Sequence, residues 1–103
     1  MNESARHRVP RDHPMLAGHF PGEPIVPGAY LLAWVVREAE RALAMSGAAR
    51  RVAGVTRVKF VRPLRPEEEF RCIWHASEAA LRFEVATDDA TVASGVLGLE
   101  SSR

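Results

Sequence analysis

Gly18–Val36 reads GHFPGEPIVPGAYLLAWVV. Its first half holds three prolines and three glycines around one histidine, His19, and its second half is an unbroken apolar run. Proline restricts φ and glycine relaxes it, so Asp12 to Pro27 reads as a loop ordered by backbone restriction more than by hydrogen bonds. Pro27 then suits the first turn of a helix, where a missing N–H costs nothing, and Gly47 is a natural stop. About 19 residues at ~1.5 Å each give a rod of roughly 28 Å. Ala29 to Val36 is apolar on all sides, which predicts a half-helix enclosed by other structure, whereas Arg37 to Met45 alternates charge with Ala and Leu and surfaces.

Everything after the helix reads as strands. Segments 51–61, 69–76, 80–87 and 91–100 are rich in Val, Phe, Ile and Trp, and turn residues separate them at 62–66, 77–79 and 88–89. Phe70, Cys72, Trp74 and Ala76 alternate with Arg71, Ile73 and His75, the period of a strand with one buried face. One long helix followed by antiparallel strands predicts an α+β fold in which the sheet wraps the helix. Residues 1–12 are polar and read as a frayed end or a short edge strand around His7 to Val9.

The bulk properties remove several function classes. With 103 residues the chain is expected to form one domain, residues 1–103, too small to wall off a deep pocket alone, so a site between subunits is expected. A formal charge of +1 marks no nucleic-acid partner and no general membrane surface. Cys72 is the only cysteine, which excludes an internal disulfide and a thiolate metal cluster. No metal ligand set is expected from His13 and His19, which lack helical i, i+4 spacing. The N-terminal stretch has no apolar core and no run reaches the ~20 residues of a membrane span, so a cytoplasmic protein is the expectation.

The segment His19-Phe20-Pro21-Gly22-x-Pro24-Ile25-x-Pro27-Gly28 resembles the active-site signature of the hot-dog fold β-hydroxyacyl-acyl carrier protein dehydratases. Lys59–Phe70, KFVRPLRPEEEF, is similar to a second family motif, with Glu67-Glu68 where Gly-Asp is usual. The likeness runs from His13 to Leu99. It implies a hot-dog homodimer or higher homo-oligomer with an acyl chain in a tunnel between subunits, and a thioester carried by acyl carrier protein or coenzyme A. It further implies that His19 is the base on the α-carbon and that the Gly28 amide holds the thioester carbonyl; Phe20, Tyr30 and Ala33 are the substrate-binding candidates beside them. The family's acid, five positions after that glycine, falls here on Ala33. No cofactor is implied. Trp34 resembles a branch associated with aryl polyene pathways.

The chemistry supports part of this independently. An enolate-like oxygen needs donors already in place, and a helix N-terminus supplies unpaired N–H groups and the positive end of its dipole. A neutral imidazole suits proton abstraction near pH 7. Glu38 lies about 140° around the helix from position 33 and does not replace the acid, so Glu38 and Glu40 read as solvated surface. Tyr30 shares the face of Ala33, and its hydroxyl is either a proton donor or the tip of a packed aromatic. His7 and His75 carry no signal. Arg50, Arg51, Arg62 and Arg65 are a candidate dock for an acidic carrier protein. Three functions stay open: a dehydratase of fatty-acid or polyene-type biosynthesis, an acyl thioesterase, and a non-catalytic acyl-binding subunit.

Overall fold

A computed structural model describes residues 3–16, 24–77 and 79–101. A 3₁₀ turn, Pro14–Leu16, precedes helix α1, Gly28–Met45; strands β1, Arg50–Phe60, β2, Arg71–Ala76, β3, Ala80–Ala86, and β4, Thr91–Ser101, follow. This is the α+β plan of the sequence, with the helix and each strand within two residues of its expected bounds and a short 3₁₀ turn inside the expected loop.

Both ends of α1 have local causes. Pro27 sits just outside it with φ −59° and ψ 141°, an extended conformation from which the chain turns into the helix. At the other end Gly47 takes φ 75°, which glycine adopts without penalty. The Gly47 N–H then donates to the Ala44 carbonyl at 3.2 Å and the Ala48 N–H to Leu43 at 3.2 Å, the paired bonds of a Schellman motif. Leu31, Trp34, Val35, Ala39 and Leu43 recur every three or four residues and form the buried stripe.

The strands make one antiparallel sheet in the order β1-β4-β3-β2. Its inner face presents Cys72 and Trp74, then Leu81, Phe83 and Val85, then Val92, Ala93 and Leu97, all packed with the helix stripe. β2 and β3 pair in unbroken register from Arg71↔Ala86 to Ala76↔Leu81. The β1–β4 ladder instead shifts twice, between Val52 and Gly54 and between Val55 and Arg57. Bulges of this kind increase local twist and bend the strand.

The two sheet edges differ. Along β2 the N-terminal segment adds pairing: the His7 N–H donates to Phe70 O at 2.8 Å, Phe70 returns a bond at 2.9 Å, and Ser4 N–H donates to Cys72 O at 2.8 Å. Among the described residues nothing pairs with the outer edge of β1, where Val55 is 40% and Phe60 49% exposed. One expectation needs correcting at this point. Ala29 and Ala33 are exposed in the single chain, so the first two turns are not enclosed on all sides. A single sheet covers one side of α1, and the stripe through Ala29, Ala33 and Arg37 faces away from it.

Gly95 shows how tightly the ladders pack. A Cβ there would lie 2.2 Å from the Arg57 carbonyl oxygen and 2.7 Å from the Phe83 ring. Backbone cannot yield as a flexible side chain does. Gly95→Ala is expected to cost about 1–3 kcal/mol as an overpacked core position, read as a lowered midpoint of urea unfolding; Gly54→Ala, with open space around its Cβ, is the control.

Candidate functional site

The N-terminus of α1 faces an open apolar hollow. The first intrahelical bond runs from the Leu31 N–H to the Pro27 carbonyl at 3.1 Å, and among the described residues no side-chain hydrogen bond caps this end. The amides of Gly28, Ala29 and Tyr30 therefore have no intrahelical acceptor, and no acid in the first turn offsets the dipole. A Cβ on Gly28 would stand 2.9 Å from Cζ of Phe60, so the glycine lets the ring at the end of β1 lie over the helix start. Next to this contact is a hollow of about 360 Å³, lined by Ile25, Leu31, Phe60, Val61, Leu64 and Val92 among others. Phe60 and Val61 are half exposed, so one wall faces outward.

The turn after β1 holds this arrangement in place. The Val26 N–H donates to Leu64 O at 2.8 Å, tying the segment before α1 to the turn, and Val61 N–H donates to Val92 O at 2.8 Å. Arg62 reaches the Glu68 carboxylate at 3.3 Å and the Thr87 hydroxyl at 3.1 Å. Burial alone would raise the Glu68 carboxyl. The Arg65 N–H, 2.8 Å away, and the Arg62 guanidinium outweigh it and hold the group below the ordinary carboxylate range. Arg62, Arg65 and Glu68 thus lock a turn that sets the hollow's rim. Arg50 and Arg51 lie at the opposite end of β1, with Arg51 paired to Glu100 at 2.7 Å, so the four arginines form no single dock.

Beside α1 lies an aromatic cluster that sequence reasoning missed. His7 stacks on Trp34 with centroids 5.7 Å apart and meets the edge of Phe70 at 5.4 Å; Trp34 and Phe70 pack at 4.8 Å. Nε2 of His7 is 3.4 Å from the Tyr30 hydroxyl, and His13 meets the Tyr30 ring at 5.6 Å. Burial pushes the His7 imidazole below its ordinary value, Glu38 opposes that and Arg37 adds to it. No motif spacing signals this cluster, because its members come from the N-terminal segment, α1 and the residue before β2.

The expected site residues divide into two groups. Gly28, Tyr30 and Ala33 come together on the first turns of α1, while His19 and Phe20 lie outside the described residues. Ala33 is exposed, and neither helix acid lines the hollow at Gly28: Glu40 accepts the Val52 N–H at 3.2 Å, and Glu38 lines a groove with His7, Tyr30 and Trp34. Cys72 is buried, and burial raises its thiol far above the ordinary range, so it is no nucleophile. Among the described residues no group of His, Cys, Asp and Glu is placed to hold a metal, and no helix is long and apolar enough to cross a membrane.

Comparison with protein families matches residues 2–96 to the ApeI-like profile, described as ApeI dehydratase. The chain belongs to the ApeI-like dehydratase family. A search of curated proteins finds no match. Among solved structures, an uncharacterized protein from Erwinia carotovora subsp. atroseptica is 27% identical over 97% of this chain and 95% of its own, with a TM-score of 0.68. The dehydratase heterocomplex ApeI:P from Xenorhabdus doucetiae is 24% identical, covering 95% of this chain and 87% of that one, at a TM-score of 0.71. An acyl-CoA hydrolase from Staphylococcus aureus, seen with butyryl coenzyme A, is 18% identical over 96% of this chain and 62% of its own, at 0.70. The last two show the fold, and the ApeI-like chain has the hot-dog architecture of one helix on an antiparallel sheet.

In this ApeI-like chain His7 gives a pH signature. Its folded value lies below the ordinary 6.5, so the stability tied to its neutral form is complete above about 6.5 and is lost as pH falls toward the folded value. The melting temperature of the wild type is expected to drop between pH 7.5 and pH 5.5, and His7→Gln should show a smaller drop over that interval. An equal drop in the variant would assign the acid sensitivity to other groups.

Proposed function

We propose that this ApeI-like chain dehydrates 3-hydroxyacyl thioesters carried by acyl carrier protein or coenzyme A. The observation that carries the reading is the uncapped amide of Gly28 beside an apolar hollow open to the outside. In this scheme the thioester carbonyl accepts the Gly28 N–H, and the acyl chain runs over Phe60 and Leu31. His19 takes the α-proton, the electron pair forms the α,β-double bond, and the C3–O bond breaks. Negative charge gathers on the carbonyl oxygen in the transition state, where the amide and the helix dipole stabilise it. The departing hydroxyl takes a proton and leaves as water. Ala33 has no proton to give, so Tyr30 or a bound water supplies it, and the chemistry needs no cofactor.

The same reading treats residues 1–103 as one hot-dog domain, working in the cytoplasm. It seats a second hot-dog subunit on the unpaired edge of β1 and against the exposed flank at Ala29 and Ala33, in a homodimer or larger assembly. Support comes from the outward-facing Phe60 and Val61, which a partner would bury. Thioester hydrolysis is the second reading, favoured by the fold shared with the Staphylococcus aureus hydrolase. It needs a carboxylate to activate water, which position 33 lacks. A non-catalytic acyl-binding subunit is the third.

Four measurements test these readings. His19→Ala is expected to lower enoyl-thioester formation by ~10²- to 10⁴-fold, the range for losing a general base; unchanged turnover would remove His19 from the mechanism. Ala33→Glu should raise dehydration if only the acid is missing, and a flat response would point to a remodelled tunnel. Release of free thiol without enoyl product would select the hydrolase. In sedimentation at micromolar concentration the chain should run as a dimer or larger, and a monomeric mass would overturn the shared site.

A further inference from the structure

The sheet face turned away from α1 carries charge that dehydration does not use. Along β3, Leu81, Phe83 and Val85 point to the core, so Arg82 and Glu84 point the other way. The strand registers line up Arg57, Val96, Arg82 and His75 in one row across all four strands, with Lys59, Ser94 and Glu84 in the next. At ~4.8 Å between strands, the Arg57 and Arg82 backbones stand about 10 Å apart, and Lys59 lies about 7 Å along β1 from Arg57. These side chains surround a hollow of about 600 Å³.

The charges here are unbalanced. Elsewhere Arg6, Arg8, Arg51, Arg62 and Arg71 each meet a carboxylate within 3.5 Å. Among the described residues Arg57, Lys59 and Arg82 form no ion pair, although all three are exposed. Glu84 is the one carboxylate lining the hollow, and it accepts the Thr91 hydroxyl. Three cations converging on a concave space repel one another until an anion with several charges sits between them.

We propose that this hollow binds an organic polyphosphate. Guanidinium groups offer forked donors that match phosphate oxygens, Lys59 adds a compact charge, and the Ser94 hydroxyl is one further donor. The backbones that carry these cations stand about 7–10 Å apart, which lets their long side chains meet a ligand with two or more phosphate groups as well as a single phosphate. A protein partner fits less well. Protein interfaces are anchored by buried aromatic and aliphatic side chains, and in these two rows only Val96 and Ile73 are apolar. A second copy of the same face would bring like charges together.

The test is calorimetric titration of the full chain with inorganic pyrophosphate, ADP and adenosine 3′,5′-bisphosphate at fixed ionic strength. One site per chain is expected, with affinity reduced tenfold or more in Arg82→Ala and in Lys59→Ala and unchanged in Arg41→Ala, an exposed arginine on α1. Far-ultraviolet circular dichroism confirms that the variants fold. Tighter binding of the bisphosphate would point to a coenzyme A-like source and tighter binding of ADP to a free nucleotide; both outcomes support the site. Equal affinity for sulfate, binding indifferent to Arg82→Ala, or tighter binding of poly-glutamate than of pyrophosphate would each overturn it.

Discussion

One sheet covers one side of one helix, and α1 has more apolar surface than that side can hide. The buried stripe from Leu31 to Leu43 meets the sheet, leaving Ala29 and Ala33 in contact with solvent. The same shortage appears in the sheet, where the N-terminal segment pairs with the β2 edge and, among the described residues, no strand pairs with the β1 edge. Exposed apolar groups at Phe60 and Val61 flank the hollow at the helix start. Together they describe half of an enclosure, in keeping with one sheet that covers one side of the helix.

The local code was easy to read where neighbours in sequence decide the structure. Pro27 and Gly47 bracket α1 because one fixes φ and the other permits a positive φ, and both effects act within a residue or two. The period of two from Cys72 to Trp74 gave β2 and its inner face. Direction of exposure was harder. Hydrophobicity at Ala29 and Ala33 implies burial, but which surface buries them depends on how many sheets are present, and composition does not contain that number.

The candidate site was legible in the same uneven way. Gly28, Tyr30 and Ala33 follow one another on a helix, so their grouping is a matter of counting. His7 is different: it joins Tyr30 across 23 residues and pairs with Phe70 across 63, through a segment whose polar composition reads as a loose end. Only the ladder along β2 brings it there. The four arginines failed as a patch for the opposite reason, since residues that look clustered by type are separated by the length of β1.

The two irregularities in β1 have a consequence for its history. Each inserts one unpaired residue opposite β4, so later residues keep their β4 partners while the period of two counted along the sequence slips by one. Two restore the original phase, which is why Phe60 arrives over Gly28 while Arg57 and Lys59 face outward. Length changes in this strand are therefore absorbed at two places: deleting Ala53 or Thr56 would remove an unpaired residue and leave the downstream pairing as it is, whereas a deletion within the regular run from Arg57 to Phe60 would exchange the faces of the residues after it.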